Sequence, residues 1–200
     1  METFRYTHLP AAHAHAYVAL FDHVSNAAHL RQRIVRASQL EGPEGDHERE
    51  AVNFAFVDAR LITSILHLQT AIYQAILAKI QGSLRTKTVH SEILWALSPN
   101  NNITEAIKRF GVSDSTASLI VVRVGPPEMS DIEHRMKTLV SGDPLPLTDL
   151  TKLTDWFAVR KCYKLNADPA LKAPGLSIAQ QQLAAGEIVV STVAMKSIAA

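Results

Sequence analysis

ASLIVVRV, residues Ala117 to Val124, is the strongest strand signal in the chain, with four β-branched residues in eight positions. Pro126 and Pro127 stop it, because proline cannot supply a ladder donor. Immediately upstream, ITEAIKRF (103–110) reads as a short helix. Asn102 stands at its cap, Glu105 follows three residues later as in a capping box, and Gly111 closes it. Pro99, Asn100, Asn101 and Asn102 form a turn. Before the turn, SEILWAL (91–97) is apolar and compatible with a helix.

Further outward the same alternation continues. YVALFDH (17–23) reads as a buried strand and NFAFVDARLI (53–62) as another. Asn26 can cap a helix to about Gln39, with Leu30, Ile34 and Ala37 on one face. Ser64 can cap a longer helix to about Gln81. Its Ile65, Leu68, Ile72, Ile76 and Ile80 recur at spacings of three and four, and Gly82 ends it. Between these pieces EGPEGDHERE (41–50) is polar and rich in glycine and acids, and reads as a solvated loop. After the strand at 117–124, helices are expected over Ser130–Val140 and Leu147–Leu165. The second carries Leu150, Leu153, Phe157 and Tyr163 on or near one face. Residues 166–175 read as loop. IVVSTV (188–193) favours a strand locally, while its alanine- and glutamine-rich surroundings favour a helix. The expected fold is one α/β domain over residues 1–200, a single mixed β-sheet packed with several α-helices.

Composition narrows the function. Twenty basic and 19 acidic residues leave a net charge of +1, so a globally basic nucleic-acid binder is excluded and only a local basic patch is left. The 47% apolar and 20% charged residues suit a folded domain. A single cysteine, Cys162, excludes an internal disulfide and a multi-thiolate zinc site. No apolar run reaches the ~20 residues of a membrane span. The N-terminus, with Glu2 and early histidines, does not read as a signal peptide, so an intracellular protein is expected.

Catalytic signatures are missing. There is no glycine-rich phosphate loop, nucleophile elbow or HExxH. His13 and His15 alternate, but no partner cluster follows at metal spacing, and they read as exposed terminal histidines. His67 lies beside the apolar stripe of its helix and reads as a satisfied core or boundary histidine. Cys162, among Arg160, Lys161 and Lys164, reads as a small buried hydrophobe. No metal or cofactor is expected. An enzyme would need a site of scattered residues such as His67, His90 and Asp58.

Two stretches point to binding. From Lys79 to Lys87 the chain carries Lys79, Arg85 and Lys87 and no acid, and Lys108 and Arg109 follow the asparagine turn. These charges either are simply solvated or face a phosphodiester, with Asn101 and Asn102 reading the bases of an unpaired strand. At the C-terminus, Ile188, Val189, Val193 and Met195 are too apolar for a solvated tail. They are either core or an anchor face for a partner.

NFAFVDARLI, TKTVHSEILWALSPNNNITEAIKRFGV, LIVVRV and RKCYKL, taken in that order, resemble the small kinase-binding subunit of the KEOPS (EKC) complex, the family whose vertebrate member is called the PRPK-binding protein. The similarity spans roughly residues 17 to 165, with a weaker echo at the C-terminus. Segments 41–51 and 171–185 look like insertions relative to smaller members, a fungal pattern. The resemblance implies a non-catalytic subunit that binds and stimulates the small atypical kinase/ATPase of the complex and meets the other subunits indirectly. It also implies recruitment of tRNA by the single-stranded 3′ CCA end, for N6-threonylcarbamoyladenosine formation beside the anticodon. Location in nucleus and cytoplasm and a tie to telomere maintenance belong to the same expectation. Archaeal relatives carry a basic residue where this chain has Asn100 to Asn102, which reduces the electrostatic contribution here. An apolar surface meant for the kinase can also pair two copies of the chain in isolation.

Overall fold

A computed structural model describes residues 1–199. Its strands are β1 (Glu2–Arg5), β2 (His15–Asp22), β3 (Ala55–Asp58), β4 (Leu119–Gly125) and β5 (Asp143–Leu145). Its helices are α1 (Ala27–Gln39), α2 (Gly42–Ala51), α3 (Ile65–Ile80), α4 (Val89–Leu97), α5 (Ile103–Phe110), α6 (Ile132–Leu139), α7 (Leu150–Leu153), α8 (Trp156–Cys162) and α9 (Ile178–Ala199). The sheet is ordered β1-β2-β4-β3, and β5 shares with β1 the outer edge of β2. The α/β class and the single sheet are as expected from the sequence. The ladders among the described residues are antiparallel throughout rather than mixed.

β4 is buried along its whole length and β2 over most of it, because helices cover both faces of the sheet. Side chains alternate between the faces. Val18, Leu20, Ile120 and Val122 enter one core with Leu68, Ile72 and Ile76 of α3, Ile93 of α4 and Val189 of α9. Ala19, Phe21, Leu119 and Val121 enter the other with Leu30 of α1 and Met136 of α6. Two-sided burial is why both strands read as unbroken apolar runs.

Ser64 accepts the His67 amide at the start of α3, and Gly82, at φ 67°, ends that helix. Asn102 accepts the Glu105 amide at 3.0 Å as the cap of α5. Asn26 stands at the cap of α1, but its amide bridges instead to Leu139 O and Ser141 N. Ile80, the last member of the apolar stripe on α3, is exposed.

Several expectations change. Residues 41–50 are not a solvated loop but helix α2, with Pro43 and Glu44 in its first turn and Arg49 in its last. Arg33 of α1 pairs with Glu48, and Arg49 donates to the Ala37 and Leu40 carbonyls. The second strand is shorter than read: Ala59–Leu61 form a 3-10 turn, whose amide at Arg60 is held by Asp58. The helix expected over 147–165 is broken at Thr154 and Asp155. Thr154 Oγ1 donates to Ile62 O at 2.7 Å, and Asp155 N to Arg60 O at 2.9 Å. Asp155 then caps α8, and the break turns Phe157 out to solvent at 76% exposure. His13 lies in a 3-10 turn and His15 in β2, so they do not share a strand face.

The C-terminal stretch is helical. Ser177 and Gln180 exchange hydrogen bonds at its start, a reciprocal cap. Ala185, Val189, Val193 and Lys196 recur along its buried side.

Two histidines are locked in the neutral form. His67 Nδ1 accepts the Thr63 amide and its Nε2–H donates to Tyr163 Oη, whose proton goes to Leu97 O. His90 Nε2 accepts the Val124 amide and Nδ1–H donates to Asn53. Burial pushes both down to about 3, with Arg123 adding to the effect on His90. The unfolded chain therefore takes up protons near pH 6.5 that the folded chain refuses, and stability falls as pH drops below that value. Urea melts at pH 7, 6 and 5 should show a declining midpoint, and His90→Gln should flatten the decline. A midpoint constant over this window would contradict the assignment.

Candidate functional site

The basic connection between α3 and α4 is held from below by one carboxylate. Glu92 is buried on α4 and accepts the Arg85 amide at 3.1 Å, the Thr86 amide at 2.8 Å and Thr86 Oγ1 at 2.6 Å. Thr88 and Ser91 complete a capping box at the start of α4. The connection is thus fixed through its backbone, while the Arg85 and Lys87 side chains stay exposed. Lys79 is exposed on the last turn of α3.

α3 and α4 run antiparallel. Tyr163 joins His67 on the first turn of α3 to Leu97 at the end of α4, whereas the far end of α3 meets the segment tied to Glu92. Between them and α9 lies a cavity of about 280 Å³, lined by Gln74, Arg85, Glu92, Trp95 and Lys196 among others. Lys196 is buried. Its ammonium donates to Trp95 O at 2.6 Å, Asn100 O at 2.7 Å and Ser98 O, and lies 4.0 Å from the centroid of the Trp95 ring.

The asparagine turn is largely committed to its own shape. Asn100 Oδ1 accepts from Ser98 Oγ and from the Asn102 amide. Asn102 Oδ1 is the helix cap. The backbone carbonyl of Asn101 accepts from Trp95 Nε1 at 3.4 Å, while its exposed side chain makes no hydrogen bond among the described residues. Of the two asparagines proposed from sequence to read bases, Asn101 has its whole side-chain amide free, while Asn102 has only its Nδ2 uncommitted among the described residues.

Lys108 and Arg109 are exposed on the last turn of α5, at the opposite end of that helix from the turn. Arg109 lies 3.8 Å from Glu105 and beside Cys162, where it opposes the burial that raises the thiol pKa. Of the five basic residues expected to form the patch, Arg85 alone lines the cavity. Of the apolar C-terminal set, Val189 and Val193 do not form an outward anchor face. They pack in the core shared with α3. Ile188 is half-buried, and Met195 is exposed with Leu183 and Ile198 on the outer side of α9. No helix among the described residues is long and apolar enough to cross a membrane.

Sequence reasoning missed Glu92 and Lys196, the two buried charges that organise this region. The spacing 185, 189, 193, 196 was the available signal for Lys196: it places a lysine on the buried stripe.

These features define an α/β domain whose buried polar groups hold loops and helix ends, and whose Arg85, Lys87, Lys108 and Arg109 side chains face solvent. Residues 21–197 match the family described as kinase binding protein CGI-121, and the chain belongs to that family. A Cryptococcus neoformans protein named EKC/KEOPS complex subunit CGI121 is 36% identical over 99% of this chain and 100% of its own length. Proteins of the same name from Neurospora crassa and Gibberella zeae are 36% and 39% identical. They cover 86% and 83% of this chain and the same shares of their own lengths.

Proposed function

We propose that this chain is a non-catalytic subunit of an EKC/KEOPS complex that binds and stimulates the small kinase/ATPase and recruits tRNA by its 3′ CCA end, for N6-threonylcarbamoyladenosine formation. The observation that carries the reading is similarity along nearly the whole chain to relatives named as subunits of that complex. The local geometry supports the tRNA part: Arg85 and Lys87 are presented outward on a connection whose backbone is already fixed, so little ordering cost remains on binding. Both buried histidines are engaged as structural hydrogen-bonding groups, which supports a non-catalytic role. Segments 41–51 and 171–185 are read as additions to a smaller family core, and the protein as nuclear and cytoplasmic.

The outer side of α9, with Leu183, Met195 and Ile198, is the proposed kinase-facing surface. A second reading, kinase holding without tRNA binding, is favoured by Asn102, whose carbonyl is spent as a helix cap. The purified chain and the kinase of the same organism should co-elute in size exclusion and raise the kinase's ATP turnover. Met195→Asp should weaken that association at least tenfold with an unchanged melting temperature. Separate elution of the wild-type pair would refute the kinase role, and undiminished binding by the variant would move the surface elsewhere.

A further inference from the structure

We propose that Lys196 is a positioning residue for the nucleic-acid surface: it ties the turn Pro99–Asn102 to α9 and so sets where Asn101 stands relative to Arg85. The inference rests on the tRNA reading above and names a residue that acts through others.

A lysine on a buried helix stripe is costly unless each donor is matched. Here all three are matched, and every acceptor is a backbone carbonyl at or beyond the end of α4. Trp95 O lies in the last turn of that helix and accepts, besides the ammonium, the Ser98 amide at 3.1 Å. Ser98 O and Asn100 O belong to the segment that leads into the turn. The positive charge lies over the Trp95 ring, and the same indole donates to Asn101 O. Lys196 and Trp95 together fix the backbone on both sides of Asn101 and leave its amide free. With three donors spent and little exposure, Lys196 offers nothing to a ligand itself.

The cavity links this clamp to the basic connection. Lys196 and Arg85 line the same space, and Glu92, which holds the Arg85 amide, faces it too. The other polar lining groups are neutral: Gln74 from α3, Gln81 at its C-cap, Ser83 from the connection and Ser197 from α9. Gln74 Nε2 also donates to Ala194 O at 2.9 Å, which fixes α9 against α3 beside the clamp. Burial lowers the Lys196 pKa to about 8, and the Glu92 carboxylate works against that shift. An uncharged amine keeps only two donors, so the turn loosens as pH rises through this value.

The test is tRNA binding by the full chain at constant salt, from about pH 7 to pH 9. Wild-type affinity should fall about fivefold across the range, as the amine loses its proton. Lys196→Met should bind about tenfold more weakly than wild type at pH 7 and show no further fall. Arg85→Glu with Lys87→Glu should bind weakly but keep the fall. A merely structural role would lower the melting temperature of Lys196→Met without producing this profile. A flat wild-type profile, or a folded Lys196→Met that binds as wild type, would overturn the inference and leave the tRNA reading standing. If Lys196→Met does not fold, the wild-type profile decides. Absence of tRNA binding by the wild-type chain at every pH would remove the tRNA reading and the inference with it.

Discussion

Val189→Asp is expected to bring the whole chain close to unfolding at physiological temperature. Val189 is 0% exposed and lies in the core shared with Leu68, Ile72 and Ile76 of α3. Its neighbours in that core are apolar, and Lys196 two turns on is spent on backbone carbonyls, so the new carboxylate would be buried without compensation. Such a change costs about 3–5 kcal/mol, and the lost apolar burial adds about 1.5 kcal/mol or more. Against a total stability of about 5–15 kcal/mol the variant is marginal at best. At roughly 2–4 °C per kcal/mol for a chain of this size, the thermal midpoint should drop by about 10 °C or more. A calorimetric scan reads the drop directly. A variant with the wild-type midpoint that fails only to capture the kinase would show that α9 leaves the core and that Val189 is an anchor after all.

Arg85→Glu combined with Lys87→Glu is expected to lower tRNA affinity by one to two orders of magnitude while the fold is unchanged. Both side chains are exposed, and the segment that carries them is held by backbone donors to Glu92 that neither substitution touches. Two reversed charges remove two phosphate contacts and add repulsion. The salt dependence should therefore flatten, by about 0.7 in the log–log slope per lost contact on a single strand. Filter binding at three salt concentrations, beside a melting curve, separates lost contacts from lost structure. Equal affinity and equal slope would remove the connection from the nucleic-acid surface. Lys108 and Arg109 make a useful contrast: they stand on the last turn of α5, at the end away from the asparagine turn, so their reversal should cost less.

The parts of the fold that were legible in the sequence are those fixed by local pattern. β4, the central run of β2, the stripe on α3 and the cap of α5 all announce themselves within about a dozen residues. What was hidden depends on partners far along the chain. α2 is glycine- and acid-rich, and it forms because Arg33, Arg49 and the end of α1 complete it. The break at Thr154 is set by the Ile62 and Arg60 carbonyls, about ninety residues earlier. β1 and β5 are short and exist only as additions to one edge of β2. The site follows the same division. The charge of Arg85 and Lys87 was visible, but the two buried groups beneath it were not. Glu92 serves two backbone amides and the Thr86 hydroxyl, and Lys196 serves three backbone carbonyls; helix spacing places Lys196 on the buried stripe but does not record such partners.

The most direct test of the account is filter binding of the purified chain to intact tRNA and to the same tRNA trimmed of its CCA end. The account requires a clear loss of affinity on trimming, with the remaining binding weak and strongly salt-dependent. Equal binding to the two, or none to either, would contradict recruitment through the single-stranded end and leave a subunit that holds the kinase alone.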